Sequence, residues 1–475
     1  SMSSNIDESK KIKTAALTAC TLGTFLVSFM SSSLNVALPS IGNEFLSDAI
    51  LLGWTTTSYL LASAMFLVPL GKIADMYGRK KNLTYGLLLF TLSSLFCIFS
   101  PSIVFLICCR AFQGIGGSMV VVTATAILTS IFPPGERGRA LGINTASVYL
   151  GLSLGPVLGG ILTQHFGWRS IFLAGIPLAA LSLFLVFRKM KGEWTEEKRE
   201  KLDVTGSLFY SAGLVLIIYG LSIMPSRTSL CLIVAGMLVI ILFAWWEWRI
   251  ENPILDIKLF AANRVFTFSN LAALANYSAT YAVSFLLSLY LQYVKGLNPQ
   301  TAGLILVSQP IVMAVFSPLA GRLSDRIDPR ILASTGMAIV VVGLIPLIFL
   351  EMHTSLTFIV CSLIVLGFGF ALFSSPNVNA IMSSVQKNFY GVASATLSTM
   401  RLTGQLLSMG IVMSLLSTNL GKASIAPENY QSFLAGNKTT FIISAAICFG
   451  GIFASLARGK SGHVPEEAMI NEQER

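Results

Sequence analysis

Apolar residues reach this chain in unbroken runs, most of them longer than the roughly 18 residues that a helix needs to cross a bilayer's hydrocarbon core. That pattern predicts fourteen spans, at 14–38, 51–74, 82–100, 102–127, 138–163, 167–187, 204–223, 228–247, 264–293, 299–321, 331–350, 355–380, 389–417 and 438–458. The thinnest division is Ser100-Pro101-Ser102, between the third and fourth runs. The first run follows basic residues, but it is too long for a signal-peptide core and has no cleavage site, so it is expected to remain as a span. The predicted fold class is an all-α polytopic membrane protein with 14 transmembrane helices.

Composition sharpens the picture. The chain is 54% hydrophobic and 11% charged, where a soluble chain carries about 25% charged residues. Its net charge of +10 does not imply a nucleic-acid partner, because Lys and Arg gather in alternate loops. With the N-terminus inside, the inner segments hold Lys10, Lys11 and Lys13; Lys72 and Arg79 to Lys81; Arg137 and Arg139; the basic residues from Arg188 to Lys201; Arg249, Lys258 and Arg264; Arg322, Arg326 and Arg330; Lys387; and Arg458 with Lys460. The opposite side offers at most Arg169, Arg227, Lys295, Lys422 and Lys438. This asymmetry predicts a multi-pass protein of the plasma membrane with both termini cytoplasmic. The seven cysteines all lie in apolar runs and the three histidines are scattered, so no metal site and no bound cofactor are expected. An embedded enzyme would need converging acids, bases or metal ligands, and the spans offer neither a His cluster nor paired carboxylates. A non-transporting receptor would be marked by a large added soluble domain, and the terminal segments are short.

One hydrophilic stretch recurs. Gly71-Lys-Ile-Ala-Asp75-Met-Tyr-Gly78-Arg79-Lys-Lys81 follows the second span, and Gly321-Arg-Leu-Ser-Asp325 follows the second span of the last six. The repeat predicts an N-terminal tail (1–13), a six-helix bundle (14–187), a cytoplasmic loop (188–203), an inserted two-helix hairpin (204–247), a second loop (248–263), a second six-helix bundle (264–458) and a C-terminal tail (459–475).

The Gly71–Lys81 stretch resembles the loop between helices 2 and 3 of the major facilitator superfamily. Three more motifs agree. Arg110-Ala-Phe-Gln113-Gly114 resembles that family's helix 4 pattern; Gly151-Leu-Ser-Leu-Gly155-Pro156-Val-Leu-Gly159-Gly160 resembles the helix 5 pattern of its antiporters; and Asn35-Val-Ala-Leu-Pro39 resembles the end of helix 1 in drug exporters. With fourteen spans, the resemblance is to the fourteen-helix drug:proton antiporter branch. It implies export of amphipathic organic solutes by alternating access, with protons as the coupling ion. It also implies a cytoplasmic gate at Gly71, Asp75, Gly78, Arg79, Gly321 and Asp325, and a helix 5 that bends at Pro156 between the bundles.

The chain departs from that pattern at the helix 1 acid and more widely. The aspartate that the exporters carry five residues before the Asn falls here on Met30, and no carboxylate lies mid-span. Coupling through a peripheral acid such as Asp75 or Glu44, uncoupled or differently driven transport, and an anionic or zwitterionic substrate held by Arg110 all stay open. A charge near mid-membrane costs at least about 3 kcal/mol on insertion scales, so Arg110 is expected to face a cavity or partners, with Gln113 beside it. Arg401 is the second such residue. The expected lining comprises Met30, Ser31, Ser32, Asn35 and Tyr59 from the first bundle. Asn276, Tyr281, Gln309, Phe373, Asn377 and Arg401 complete it from the second. Aromatics beside a few amides suit a small organic solute.

Overall fold

The computed structural model describes residues 2–192, 201–386 and 389–460. Half of the loop at 188–203 and most of the tail at 459–475 lie outside these, as does Lys387. Among the described residues the chain is helical, and fourteen helices are long and apolar enough to span a membrane. They are α1 (Met2–Phe45), α2 (Ala49–Tyr77), α3 (Arg79–Ile98), α4 (Ile103–Ile131), α5 (Pro134–Phe166), α6 (Arg169–Lys189), α7 (Val204–Ser222), α8 (Arg227–Arg249), α9 (Arg264–Val294), α10 (Pro299–Leu323), α11 (Pro329–Ile348), α12 (Leu356–Ser383), α13 (Tyr390–Leu420) and α14 (Tyr430–Ala457). α1 starts well ahead of its apolar run, so part of the predicted tail is helix.

Short polar side chains set the breaks. Asp48 caps α2 by accepting from Leu51 N (2.8 Å), Asn263 caps α9 through Phe266 N (3.0 Å), and Asn298 caps α10 through Thr301 N (2.8 Å). Ser102 caps α4 by accepting from Phe105 N at 3.2 Å, which is how three residues suffice to separate α3 from α4. Gly78 joins α2 to α3 at a φ of 133°, a backbone region closed to most side chains.

The helices α1–α6 form one bundle and α9–α14 another. The hairpin α7–α8 leans on α13 and α2 through α7, and the outer helix α8 turns Leu230, Leu238 and Ile241 outward. Water cannot drive helices together inside lipid, so close packing has to. The α5 motif supplies it: Gly151, Gly155 and Gly159 lie against Phe25, Ser32 and Ser33 of α1, where an added methyl would collide. Gly160 instead faces Pro299 O of α10, and Gly303 of α10 faces Pro156 O, so the same helix joins the two bundles.

Candidate functional site

Arg110 projects from α4 into the interior and is 2% exposed. Its Nε donates to Thr55 O of α2 at 3.1 Å and its Nη1 to Gln113 Oε1 at 2.6 Å. Gln113 is fixed in turn by donating from Nε2 to Ser94 Oγ of α3 at 2.9 Å. The guanidinium carbon lies 4.4 Å from the centre of the Tyr59 ring. Among the described residues no carboxylate pairs with Arg110. The cation is held by one carbonyl, one amide and one π face, which leaves donor capacity on the guanidinium.

Across the bundle interface stands α9. Its Tyr281 lies beside Ser31 of α1 and within electrostatic reach of Arg110. One turn nearer the start of α9, Tyr277 neighbours Arg401 of α13, Ser374 of α12 and Tyr149 of α5, with its ring 5.6 Å from that of Phe370. Two tyrosines on one face of α9 therefore each look towards an arginine, one from each bundle. Ser31, Ser32, Asn35, Tyr277, Tyr281, Arg401 and Tyr149 are all partly accessible.

Other sequence-predicted residues sit elsewhere. Met30 is fully buried and points towards Gly175 of α6, within its own bundle, so it does not line the interface. Asn377 donates to Ser269 O of α9 at 3.2 Å, and Phe373 packs by Gly336 of α11; both belong to the second bundle's interior. Gln309 presents its backbone to Gly367 of α12. Asn276 is fully buried, and its side-chain amide has no partner among the described residues. Each correction has one cause: these helices are apolar all round, so no stripe shows which face turns inward. Tyr149 and Ser374 were not singled out from sequence, and only the fold brings them to Tyr277.

The two Gly–Asp stretches differ. Asp75 accepts from Arg79 Nε at 2.8 Å, and Arg79 also bonds Ser130 Oγ of α4, all inside the first bundle. Asp325 makes no side-chain hydrogen bond or ion pair with a described residue. The hydrogen bonds between bundles gather at the opposite end, away from the termini. Ser288 donates to Asn35 O, Gln292 Nε2 to Val36 O (2.8 Å), Tyr293 OH to Pro39 O (3.3 Å) and Gln300 N to Gln164 Oε1 (3.2 Å). Nearer the termini, Ser317 Oγ donates to Tyr149 OH at 3.4 Å.

Comparison with known proteins places this geometry in context. The family model for the Major Facilitator Superfamily matches residues 20–408 and 269–468. The chain is 30% identical over 446 residues to the riboflavin transporter RibZ of Clostridioides difficile (strain 630), covering 94% of this chain and 97% of that one. It is 33% identical over 418 residues to the multidrug resistance protein Stp of Mycobacterium tuberculosis (strain CDC 1551 / Oshkosh), covering 87% of this chain and 77% of that one. Among solved structures, a bacterial homologue of the human lysosomal transporter Spinster aligns with a TM-score of 0.66 at 18% identity, over 94% of this chain and 97% of that one. A peptide transporter, POT, aligns with a TM-score of 0.67 at 14% identity, over 93% and 97%.

Proposed function

The chain belongs to the major facilitator superfamily and is a membrane transporter rather than an enzyme, and from that premise we propose that it moves amphipathic, aromatic organic solutes that are neutral or anionic, by alternating access. The observation that carries this reading is Arg110, a buried cation with spare donors and no carboxylate partner among the described residues. A buried cation without a counter-charge attracts electron-rich groups and repels cations. Tyr277 and Tyr281 add partly accessible flat aromatic surface, which favours planar solutes. The named substrate of the 30% identical relative, riboflavin, is a planar solute of this kind.

The excess of Lys and Arg in the loops on the side of the termini supports a cytoplasmic position for both termini. In that orientation the bonds from α9 and α10 to α1 and α5 seal the outer end. Export then requires the seal to break while the cytoplasmic ends approach, with Asp75 and Asp325 at the moving face. Antiport against protons is the coupling that the α5 motif favours, through an acid outside the central path.

A second reading, export of structurally varied drugs, is favoured by the 33% identity to Stp. Proteoliposomes with imposed pH and potential gradients separate the two readings, using riboflavin, an aromatic organic anion and a cationic dye as solutes. Gradient-driven movement of the first two supports the proposal. Movement of the cationic dye alone rejects it.

A further inference from the structure

The inserted hairpin brings the start of α7 to the end of α8. Asp203 caps α7, its Oδ1 accepting from Gly206 N at 2.9 Å and from Trp246 Nε1 at 3.0 Å. Glu247, next to Trp246, turns its Oε2 to the amide of Leu255 at 3.0 Å. The other oxygen of each carboxyl, Asp203 Oδ2 and Glu247 Oε1, is buried and has no donor among the described residues. Both oxygens face one small space, since a methyl added to Gly206 would collide with the two together. Glu247 is 1% exposed and Asp203 8%. Two buried carboxylates this close cannot both stay ionised, because each raises the other's proton affinity. A single proton resolves the conflict: it makes one oxygen the donor and the other the acceptor of a charge-assisted hydrogen bond.

We propose that Asp203 and Glu247 form a proton-binding site, one proton shared between Oδ2 and Oε1, which ties the inserted hairpin to the Gly71–Lys81 stretch. The proton resides on Glu247 and the charge on Asp203. Burial opposes that charge, but the hydrogen bonds from Glu247, Trp246 and Gly206, together with the positive charge of Lys72, hold the Asp203 carboxyl below the usual carboxylate range. Lys72 also donates from Nζ to Pro253 O at 3.0 Å, in the segment whose Leu255 amide binds Glu247. Proton, hairpin, segment 250–256 and gate stretch are thereby linked in one chain of contacts.

Apart from Lys72, the neighbouring polar and charged groups have partners of their own. From α2 the facing charge is Lys72. On α8, Arg249 lies over the Trp245 ring at 4.4 Å. In the following segment Asp256 caps the short helix Ile257–Ala262 through Leu259 N at 3.2 Å. Facing α13, the Tyr210 hydroxyl of α7 shares a 2.9 Å hydrogen bond with Thr403. Losing the proton sets two anions against one another, and the hairpin base should loosen from segment 250–256. This site stands whichever solute the central path takes.

Infrared titration of the full-length protein in nanodiscs tests it, paired with hydrogen exchange of the segments around 203–207 and 250–256. The wild type should show a protonated carboxyl at neutral pH that Glu247→Gln and Asp203→Asn each abolish and Glu44→Gln leaves in place. Raising the pH should speed exchange in both segments roughly tenfold beyond the intrinsic effect, the equivalent of about one pKa unit of lost interaction. Glu247→Gln, which keeps a donor to Asp203, should suppress that rise. No protonated carboxyl in the wild type at neutral pH overturns the proposal without any variant. So does a band that survives both substitutions, or an exchange profile that is the same in Glu247→Gln and the wild type.

Discussion

The guanidinium carbon of Arg110 stands 4.4 Å from the centre of the Tyr59 ring, and the Tyr59 hydroxyl is buried without a hydrogen-bond partner among the described residues. The ring, and not the phenol oxygen, is therefore what Tyr59 contributes. A desolvated cation–π contact is worth about 2 kcal/mol. Tyr59→Phe should keep transport within about twofold of wild type, whereas Tyr59→Leu should lower it by roughly tenfold. Initial uptake rates in proteoliposomes, normalised to reconstituted protein, check both.

Asp75 and Arg79 form a partly exposed i,i+4 pair at 2.8 Å, so its direct worth to stability is at most about 1 kcal/mol. Asp75→Asn should leave membrane expression largely intact and lower transport severalfold, because it also releases Arg79 from its joint hold on Asp75 and Ser130. Surface quantification beside uptake separates the outcomes; loss of protein from the membrane would make Asp75 a folding residue.

Gly160 meets Pro299 O at 2.6 Å from where a Cβ would stand, at the end where the bundles are bonded together. Gly160→Val should push α10 away from α5 and shift the population towards a form open at that end. Spin labels at Phe166→Cys and Lys295→Cys, in a background free of the seven native cysteines, should then report a longer mean distance than in the Gly160 protein. An unchanged distance distribution would show that the seal does not depend on this contact.

The architecture was legible in the sequence because span length is a physical threshold that composition alone can satisfy, and the fourteen runs correspond to fourteen helices. Arg110 was legible for a related reason, since an arginine inside an apolar run is costly unless something holds it. Side-chain direction was not. Met30 lies one residue before Ser31 yet faces α6 while Ser31 faces Tyr281, and in a helix apolar on every side nothing in the sequence marks that difference. Asp203 and Glu247 stand 44 positions apart in the sequence, each at the end of a span. The signal was available in the hairpin's geometry, because two antiparallel helices of similar length return the end of one to the start of the other.

In the proposed transport cycle Arg110 binds an electron-rich aromatic solute directly. Hydrogen bonds to a charged group are worth about 1.5–3 kcal/mol, so replacing it should cost roughly tenfold or more in transport. Arg110→Lys should also be impaired, since an ammonium cannot reach Thr55 O and Gln113 while presenting a second flat donor edge. The decisive measurement is substrate counterflow in proteoliposomes for wild type and Arg110→Gln, with an aromatic organic anion and a cationic dye offered in parallel. The wild type should exchange the anion, a folded Arg110→Gln protein should do so at least tenfold more weakly, and the dye should move little in either. Rapid exchange of the cationic dye, undiminished in Arg110→Gln, would contradict direct binding by Arg110.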